Sequence, residues 1–278
     1  MKFFLANLVI VAALVLLSGM ADSSDFDKDL AEWEKALTAS GNGDLITALA
    51  EWQTLAEQGS IEAQFLVALM YYRGQGVDRD YKEAAKWYMQ AAKQGYDEAQ
   101  ASLAFMYNSG QGVNKDEVLA ARWYKAAADQ GPAIAQYNVG LVYQYGSGGV
   151  LQNHKEAVNW FKLAAEQGHG EAQVHLGFNY LNGMGVKKDD KQAVKWFKLA
   201  AKQGLEDAQY MLAAKYALGE GVPQSNVYAH MWFNISSVNG NKQATKYRDG
   251  ITENMTPSAI EQAQSLAKKC MDSGYKDC

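Results

Sequence analysis

The histidines and one Ser-x-x-Lys tetrapeptide are the residues of this chain whose types and spacing come nearest to catalytic or metal-binding chemistry. His169 and His175 are six residues apart, which is poor spacing for one helical face, and no His-Glu-x-x-His motif occurs. Ser265 and Lys268 match the Ser-x-x-Lys spacing of β-lactamases, but neither Ser-Asp-Asn nor Lys-Thr-Gly accompanies them. We therefore expect no enzymatic activity, no cofactor and no bound metal.

Phosphate and nucleic-acid chemistry are also disfavoured. The chain has no Gly-x-x-x-x-Gly-Lys loop, and its Gly-x-Gly pairs follow predicted helices rather than strands, which argues against a dinucleotide site. Its formal net charge of −5 provides no general attraction for nucleic acid. Lysines between residues 187 and 202 form a local basic stretch at helical spacing, which we interpret as a solvated face, with a patch for an acidic partner as the alternative.

The elements that carry these residues are set by an internal repeat. An Ala-Gln pair and a tryptophan each recur about every 36 residues. The glutamines are Gln64, Gln100, Gln136, Gln173 and Gln209, and the tryptophans are Trp87, Trp123, Trp160, Trp196 and Trp232. A fixed period of roughly 20–50 residues is typical of solenoids, in which each unit buries its apolar face against its neighbours.

Each repeat is predicted to contain two helices. Around the glutamine, an alanine at −1, an apolar residue at +3, a small residue at +4 and a tyrosine at +7 lie on one helical face. A Gly-x-Gly-Val turn follows in four copies, and the third copy carries one extra residue there. Around the tryptophan, apolar residues mark a second helix that stops at a glycine, and we expect the tryptophans in the core.

The whole pattern, repeated in register from about Gly59 to Gly240, resembles the Sel1-like repeat family, relatives of tetratricopeptide repeats. The resemblance implies an all-α, right-handed α-solenoid of about five repeats with helical caps at both ends, and it implies an adaptor rather than an enzyme. We assign residues 22–59 to an N-terminal helical cap with a partial repeat, 60–240 to the five repeats and 241–278 to C-terminal capping helices.

The N-terminus is typical of a signal peptide, which we place at residues 1–21. Lys2 precedes an apolar run over residues 3–17, and small residues follow before a cleavage point expected after Ala21. The run is short for a membrane span, which takes roughly 20 residues. We therefore expect a monomeric bacterial protein that is periplasmic or secreted. The alternative is a leader that is not cleaved and anchors the protein in a membrane.

The two cysteines, Cys270 and Cys278, both lie at the extreme C-terminus. A cysteine pair in an exported protein tends to be oxidised, so we expect a disulfide that closes the terminal helix. Thr256 and Pro257 predict the start of that helix, with threonine as the N-cap and proline in the first turn.

The candidate binding residues lie on the first helices, on the face opposite the predicted core. Positions +1, +5 and +8 from the glutamine would be polar if they were merely solvated, yet many are apolar or aromatic. We name the following nine residues the first-helix stripe: Phe65, Leu69, Tyr72, Phe105, Asn108, Tyr137, Leu141, Phe178 and Tyr210.

Two interpretations of the first-helix stripe stay open at this point. In tetratricopeptide-like folds the first helices line the concave surface, so the stripe suits capture of a protein or peptide. Packing between adjacent first helices would instead bury the same residues. We expect an exported scaffold or adaptor of the bacterial envelope, serving signalling, exopolysaccharide control or host interaction. A cell-wall enzyme or glycan-binding protein is the alternative.

Overall fold

A computed structural model describes residues 23–278 of the chain, so the signal peptide predicted for residues 1–21 lies outside the described residues. Fourteen α-helices and no strand occur in that range. They are α1 Ser23–Asn42, α2 Leu45–Glu57, α3 Ile61–Arg73, α4 Tyr81–Lys93, α5 Asp97–Ser109, α6 Glu117–Ala128, α7 Ala133–Tyr145, α8 His154–Glu166, α9 Gly170–Asn182, α10 Asp190–Ala201, α11 Glu206–Leu218, α12 Asn226–Val238, α13 Lys242–Thr252 and α14 Pro257–Asp272. The all-α fold that the resemblance implies is confirmed.

Helices α3 to α12 form five successive pairs, and the glycine turns end the first helix of each pair as predicted. Gly183, for example, has φ +69°, and its N–H donates to the carbonyl of Asn179. The second helix of each pair begins behind a polar N-cap. Asp189 caps α10 by accepting a hydrogen bond from the N–H of Gln192 at 3.0 Å.

The helices are grouped into two compact units, described here one at a time as unit 1, residues 23–130, and unit 2, residues 131–278. Unit 1 contains α1 to α6 and unit 2 contains α7 to α14. In each unit the core consists of small clusters between successive helices, rich in alanine. The many alanines allow close packing of neighbouring helices, because each side chain is a single methyl group.

The buried aromatic residue of each second helix is the one that follows the tryptophan. Trp196 and Trp232 are buried as expected, whereas Trp87, Trp123 and Trp160 are only half-buried, so the prediction was wrong for those three. The buried series consists of Tyr88, Tyr124, Phe161, Phe197 and Phe233.

The reason for this difference lies in the small residue at position +4 of the first helix. A Cβ added at Gly177 would strike the ring of Phe197, and one at Gly140 would strike the ring of Phe161. The ring after the tryptophan therefore fills the space that the small residue leaves. Trp52, which lies 36 residues before Tyr88, occupies the same buried position in the partial repeat.

Both ends of the described chain are helical. In unit 1, Trp33 of α1 packs edge-on against Trp52 at 4.9 Å between ring centroids. In unit 2, the Thr256 hydroxyl accepts from the N–H of Ala259 at 3.3 Å and Pro257 opens α14, as predicted. Within residues 23–278, no helix has the length and apolar character needed to cross a membrane.

Candidate protein-binding surface

The first-helix stripe is partly exposed in both units. Phe105 leaves 46% of its surface in contact with solvent, and Asn108 is exposed as well. The other seven residues of the stripe are half-buried. A large ring that remains half-exposed on a helix face is the kind of anchor on which protein interfaces depend.

In unit 1 the stripe rings are held by neighbouring side chains. Phe65 lies 5.7 Å from the ring of Tyr88 and 5.1 Å from that of Tyr96, measured between centroids. The Tyr72 hydroxyl donates to Oε1 of Gln111 at 3.1 Å. These contacts fix the orientation of the rings while part of each remains accessible.

In unit 2, Tyr137 lies in a cluster of rings. It stacks on the imidazole of His169 at 4.7 Å and meets His175 at 5.6 Å, and the buried Phe161 lies 5.9 Å away. The His175 ring in turn stacks on Phe161 at 4.9 Å. The two histidines that were unlikely ligands in the sequence are therefore packing partners of Tyr137.

The remaining aromatic residues of the unit 2 stripe are also anchored to the core. Phe178 packs edge-on against Phe197 at 5.2 Å. Tyr210 lies 5.5 Å from Phe233 and 5.8 Å from Tyr247, measured between ring centroids. Both rings therefore pack in part against the second helix of their own pair, and each remains half-buried.

The imidazoles beside Tyr137 have defined hydrogen-bond roles. His169 Nδ1 accepts from the N–H of Ala172 at 3.3 Å and so caps α9, and His175 Nδ1 lies 3.3 Å from Gln144 Oε1. Burial lowers the pKa of both His169 and His175 below the ordinary value of 6.5. Both rings are therefore neutral near pH 7, and the surface around Tyr137 carries no histidine charge there.

A feature that the sequence reasoning missed is a hydrogen-bond ladder made by the marker glutamines. Gln173 Nε2 donates to the carbonyl of Ala165 at 3.1 Å, and its Oε1 accepts from Gln203 Nε2 at 2.9 Å. Gln203 Nε2 also donates to the carbonyl of Gly168 at 3.0 Å. The bond to a carbonyl of the preceding helix recurs at Gln64, Gln100 and Gln209. The bond accepted by Oε1 recurs at these three residues and at Gln136.

The donors of the ladder share one sequence position, directly before the glycine that ends each second helix. They are Gln94, Gln130, Gln167, Gln203 and Asn239. The recurrence of Gln-Gly, or Asn-Gly in the last repeat, is the sequence pattern from which the ladder could have been predicted. In α3, α5, α9 and α11 the marker glutamine bonds to a carbonyl of the preceding helix, and so positions the first helix and its stripe residues against that helix.

We expect Gln173 and Gln203 to be energetically coupled. Replacing Gln173 with alanine removes a buried amide that makes two side-chain hydrogen bonds, so the free energy of unfolding should fall by about 1–3 kcal/mol. A double-mutant cycle of Gln173→Ala and Gln203→Ala, measured by urea unfolding, should give a coupling of at least about 0.5 kcal/mol. Strictly additive losses would show that the ladder bond contributes nothing.

The residues with possible catalytic chemistry are not assembled into a site. Ser265 and Lys268 are both exposed on α14. Within residues 23–278, no three or more His, Cys, Asp or Glu side chains are grouped so that they could hold a metal ion. Cys270 and Cys278 do lie together in unit 2, with their Cα atoms 4.9 Å apart, inside the range of about 4.4–6.8 Å usual for disulfides.

Five helix pairs with one buried pattern define an α-helical repeat protein. The chain belongs to the Sel1 repeat family, because that family's repeat matches residues 61–96, 97–132, 133–169, 170–205 and 206–241. A Sel1 repeat protein from Oxalobacter formigenes is 33% identical with a TM-score of 0.72, over 84% of this chain and 98% of the other. The resemblance inferred from the motifs is thereby confirmed.

Two further solved structures are similar to the chain at lower TM-scores. A protective antigen of uropathogenic Escherichia coli with an SLR fold is 27% identical, with a TM-score of 0.43 over 89% of this chain and 70% of the other. An immunity protein from Pseudomonas aeruginosa is 23% identical, with a TM-score of 0.43 over 75% of this chain and 80% of the other. A comparison with curated proteins gave no match.

Proposed function

We propose that this protein is an exported scaffold of the bacterial envelope that binds a protein or peptide partner through the first-helix stripe. Sel1 repeats generally mediate protein–protein interaction, which supports the class of ligand. The observation that carries the assignment is the exposure of Phe105, an aromatic ring that is 46% accessible on the predicted binding face. Covering such a ring removes apolar surface from water, which favours association.

Phe105 also offers the cleanest test. Substituting Tyr137 or Tyr210 would remove contacts to the buried Phe161 and Phe233, so a loss of binding would be confused with a loss of packing. Phe105 is exposed, and Val118 on the second helix of the same pair is exposed to almost the same extent, 45%. Val118 therefore serves as a matched control off the stripe.

We expect Phe105→Ser to reduce partner capture at least tenfold, which corresponds to about 1.4 kcal/mol. The measurement is crosslinking and affinity capture from the native envelope, quantified for wild type, Phe105→Ser and Val118→Ser. Val118→Ser should capture as wild type does, and the three proteins should unfold at the same urea concentration. Equal capture by the two variants would place the binding surface elsewhere.

Export and the terminal disulfide belong to the same proposal. The leader motif supports export, and the 4.9 Å separation of Cys270 and Cys278 suits a bond in an oxidising compartment. We expect periplasmic protein, alkylated without reductant, to begin at Asp22 and to carry no alkyl group. The intact mass reports both properties at once. An intact leader would contradict cleavage, and two alkylated thiols would contradict the disulfide.

A further inference from the structure

The residue six positions after the marker glutamine differs in chemistry from repeat to repeat. It is Met70, Met106, Val142, Asn179 or Lys215, and it is buried in every repeat but that of Val142. Asn179 is 1% exposed and Lys215 is 4% exposed. A polar side chain at such a site must find partners, because an unpaired buried polar group costs about 1–3 kcal/mol.

Lys215 finds its partners on both sides. Its Nζ donates to Asp190 Oδ1 at 2.8 Å and to Glu220 Oε2 at 2.6 Å. Asp190 is the first residue of α10, the second helix of the preceding pair. In the last repeat this position therefore holds an ammonium group that is paired with two carboxylates.

The repeat places His154 opposite Asn179 in the same way. Asn179 lies 36 residues before Lys215, and His154, the first residue of α8, lies 36 residues before Asp190. The neighbouring turns confirm the equivalence. A Cβ added at Gly185 would overlap the carbonyl oxygen of His154, and one at Gly221 would overlap that of Asp190.

In contrast with Lys215, Asn179 has no protein partner for its side chain among residues 23–278. Both its Oδ1 and its Nδ2 are buried without a hydrogen bond, and so is Nδ1 of His154. The indole N–H of Trp196 is also buried without a hydrogen-bond partner. Trp196 packs in one hydrophobic cluster with Val158 of α8 and Leu176 of α9. Four buried polar atoms without partners thus lie on three successive helices, α8, α9 and α10.

We infer that the side chains of Asn179, His154 and Trp196 converge on one ordered water molecule, which supplies the hydrogen bonds that they lack. Buried waters make about three hydrogen bonds to groups that would otherwise be unpaired, and these side chains supply that number. Asparagine is shorter than lysine, so a water oxygen takes the position that the Lys215 ammonium occupies in the next repeat. Asn179 carries no charge, which suits a neutral ligand.

The indole alone does not create the site. Trp87 Nε1 is also buried without a partner, but the position that corresponds to Asn179 is the apolar Met70 there. That repeat offers a water too few polar groups, so the methionine side chain fills the space instead. The Met70 repeat is therefore an internal control within the same molecule.

The test is a high-resolution crystal structure of the whole mature chain, with water–protein NMR contacts to the Asn179 amide. We expect a density peak within hydrogen-bonding distance of Asn179 and His154, and none beside Met70. In Asn179→Met the peak and the NMR contacts should vanish. A direct Asn179–His154 hydrogen bond, or well-defined density with no peak, would overturn the inference.

Transfer of the charged residues of the last repeat into the Asn179 repeat tests the site independently. His154→Asp combined with Asn179→Lys installs the ion pair of Asp190 and Lys215, and the lysine ammonium should replace the water peak. The double variant should melt at a higher temperature than Asn179→Lys alone, since that single substitution leaves a buried ammonium group without a carboxylate. A double variant that melts no higher than Asn179→Lys would show that the two positions do not face each other.

Discussion

Replacing Phe161 with alanine is expected to lower the free energy of unfolding by about 3–5 kcal/mol, as a phenylalanine removed from a closed core leaves a cavity. Phe161 is fully buried, and its ring fills the space beside Gly140. It also supports the rings of Tyr137 and His175. The loss should therefore appear both in urea unfolding and in the chemical shifts of the His175 ring.

Trp160→Ala is the matched control, because Trp160 is the neighbouring aromatic residue but is only half-buried. Its removal should cost clearly less than the removal of Phe161, although tryptophan is the larger side chain. Urea unfolding of both variants decides the order. If Trp160→Ala were as damaging as Phe161→Ala, the assignment of the buried series would be wrong.

The second large effect is expected at Gly185, where alanine should lower the free energy of unfolding by about 3 kcal/mol or more. The residue has φ +70°, a left-handed conformation that costs an L-residue roughly 1–2 kcal/mol. A Cβ there would also overlap the carbonyl oxygen of His154, which belongs to rigid backbone. Overpacking of this kind adds typically about 1–3 kcal/mol.

Gly183 separates these two contributions. It lies in the same turn with φ +69°, but a Cβ added there meets its nearest neighbours at 3.6 Å, an ordinary contact. Gly183→Ala should therefore cost only the backbone part, roughly 1–2 kcal/mol. Equal losses at the two glycines in thermal or urea unfolding would mean that the turn does not pack against α8.

The sequence predicted the helix pairs, their glycine ends and the family, because each of these depends on local chemistry repeated at a fixed period. It did not distinguish Trp160 from Phe161, since adjacent residues on a helix differ by only about 100° in direction. Phe161 is the buried residue of the two because its ring packs against Gly140 of the first helix, and this contact depends on how the two helices pack.

The hydrogen bonds of the ladder and the burial of the stripe residues were harder to predict from the sequence for a related reason. Gln203 lies 30 residues from Gln173, so their hydrogen bond follows from the stacking of pairs rather than from either helix. The half-burial of Phe178 likewise depends on Phe197 in the next helix. Periodicity indicates which face a residue occupies, but how far the neighbouring helix covers that face depends on its side chains.

The ladder also has an evolutionary consequence. Because Gln173 and Gln209 bond to the preceding helix pair in the same way, loss of residues 170–205 as a block would bring Gln209 to the carbonyl of Ala165, with Asn239 still bound to Gln209. Duplication of the same block would add one more marker glutamine with the same hydrogen bonds. A gene segment that encodes one such block can therefore be gained or lost by recombination while the helices on either side keep the same hydrogen bonds, so the number of repeats can change.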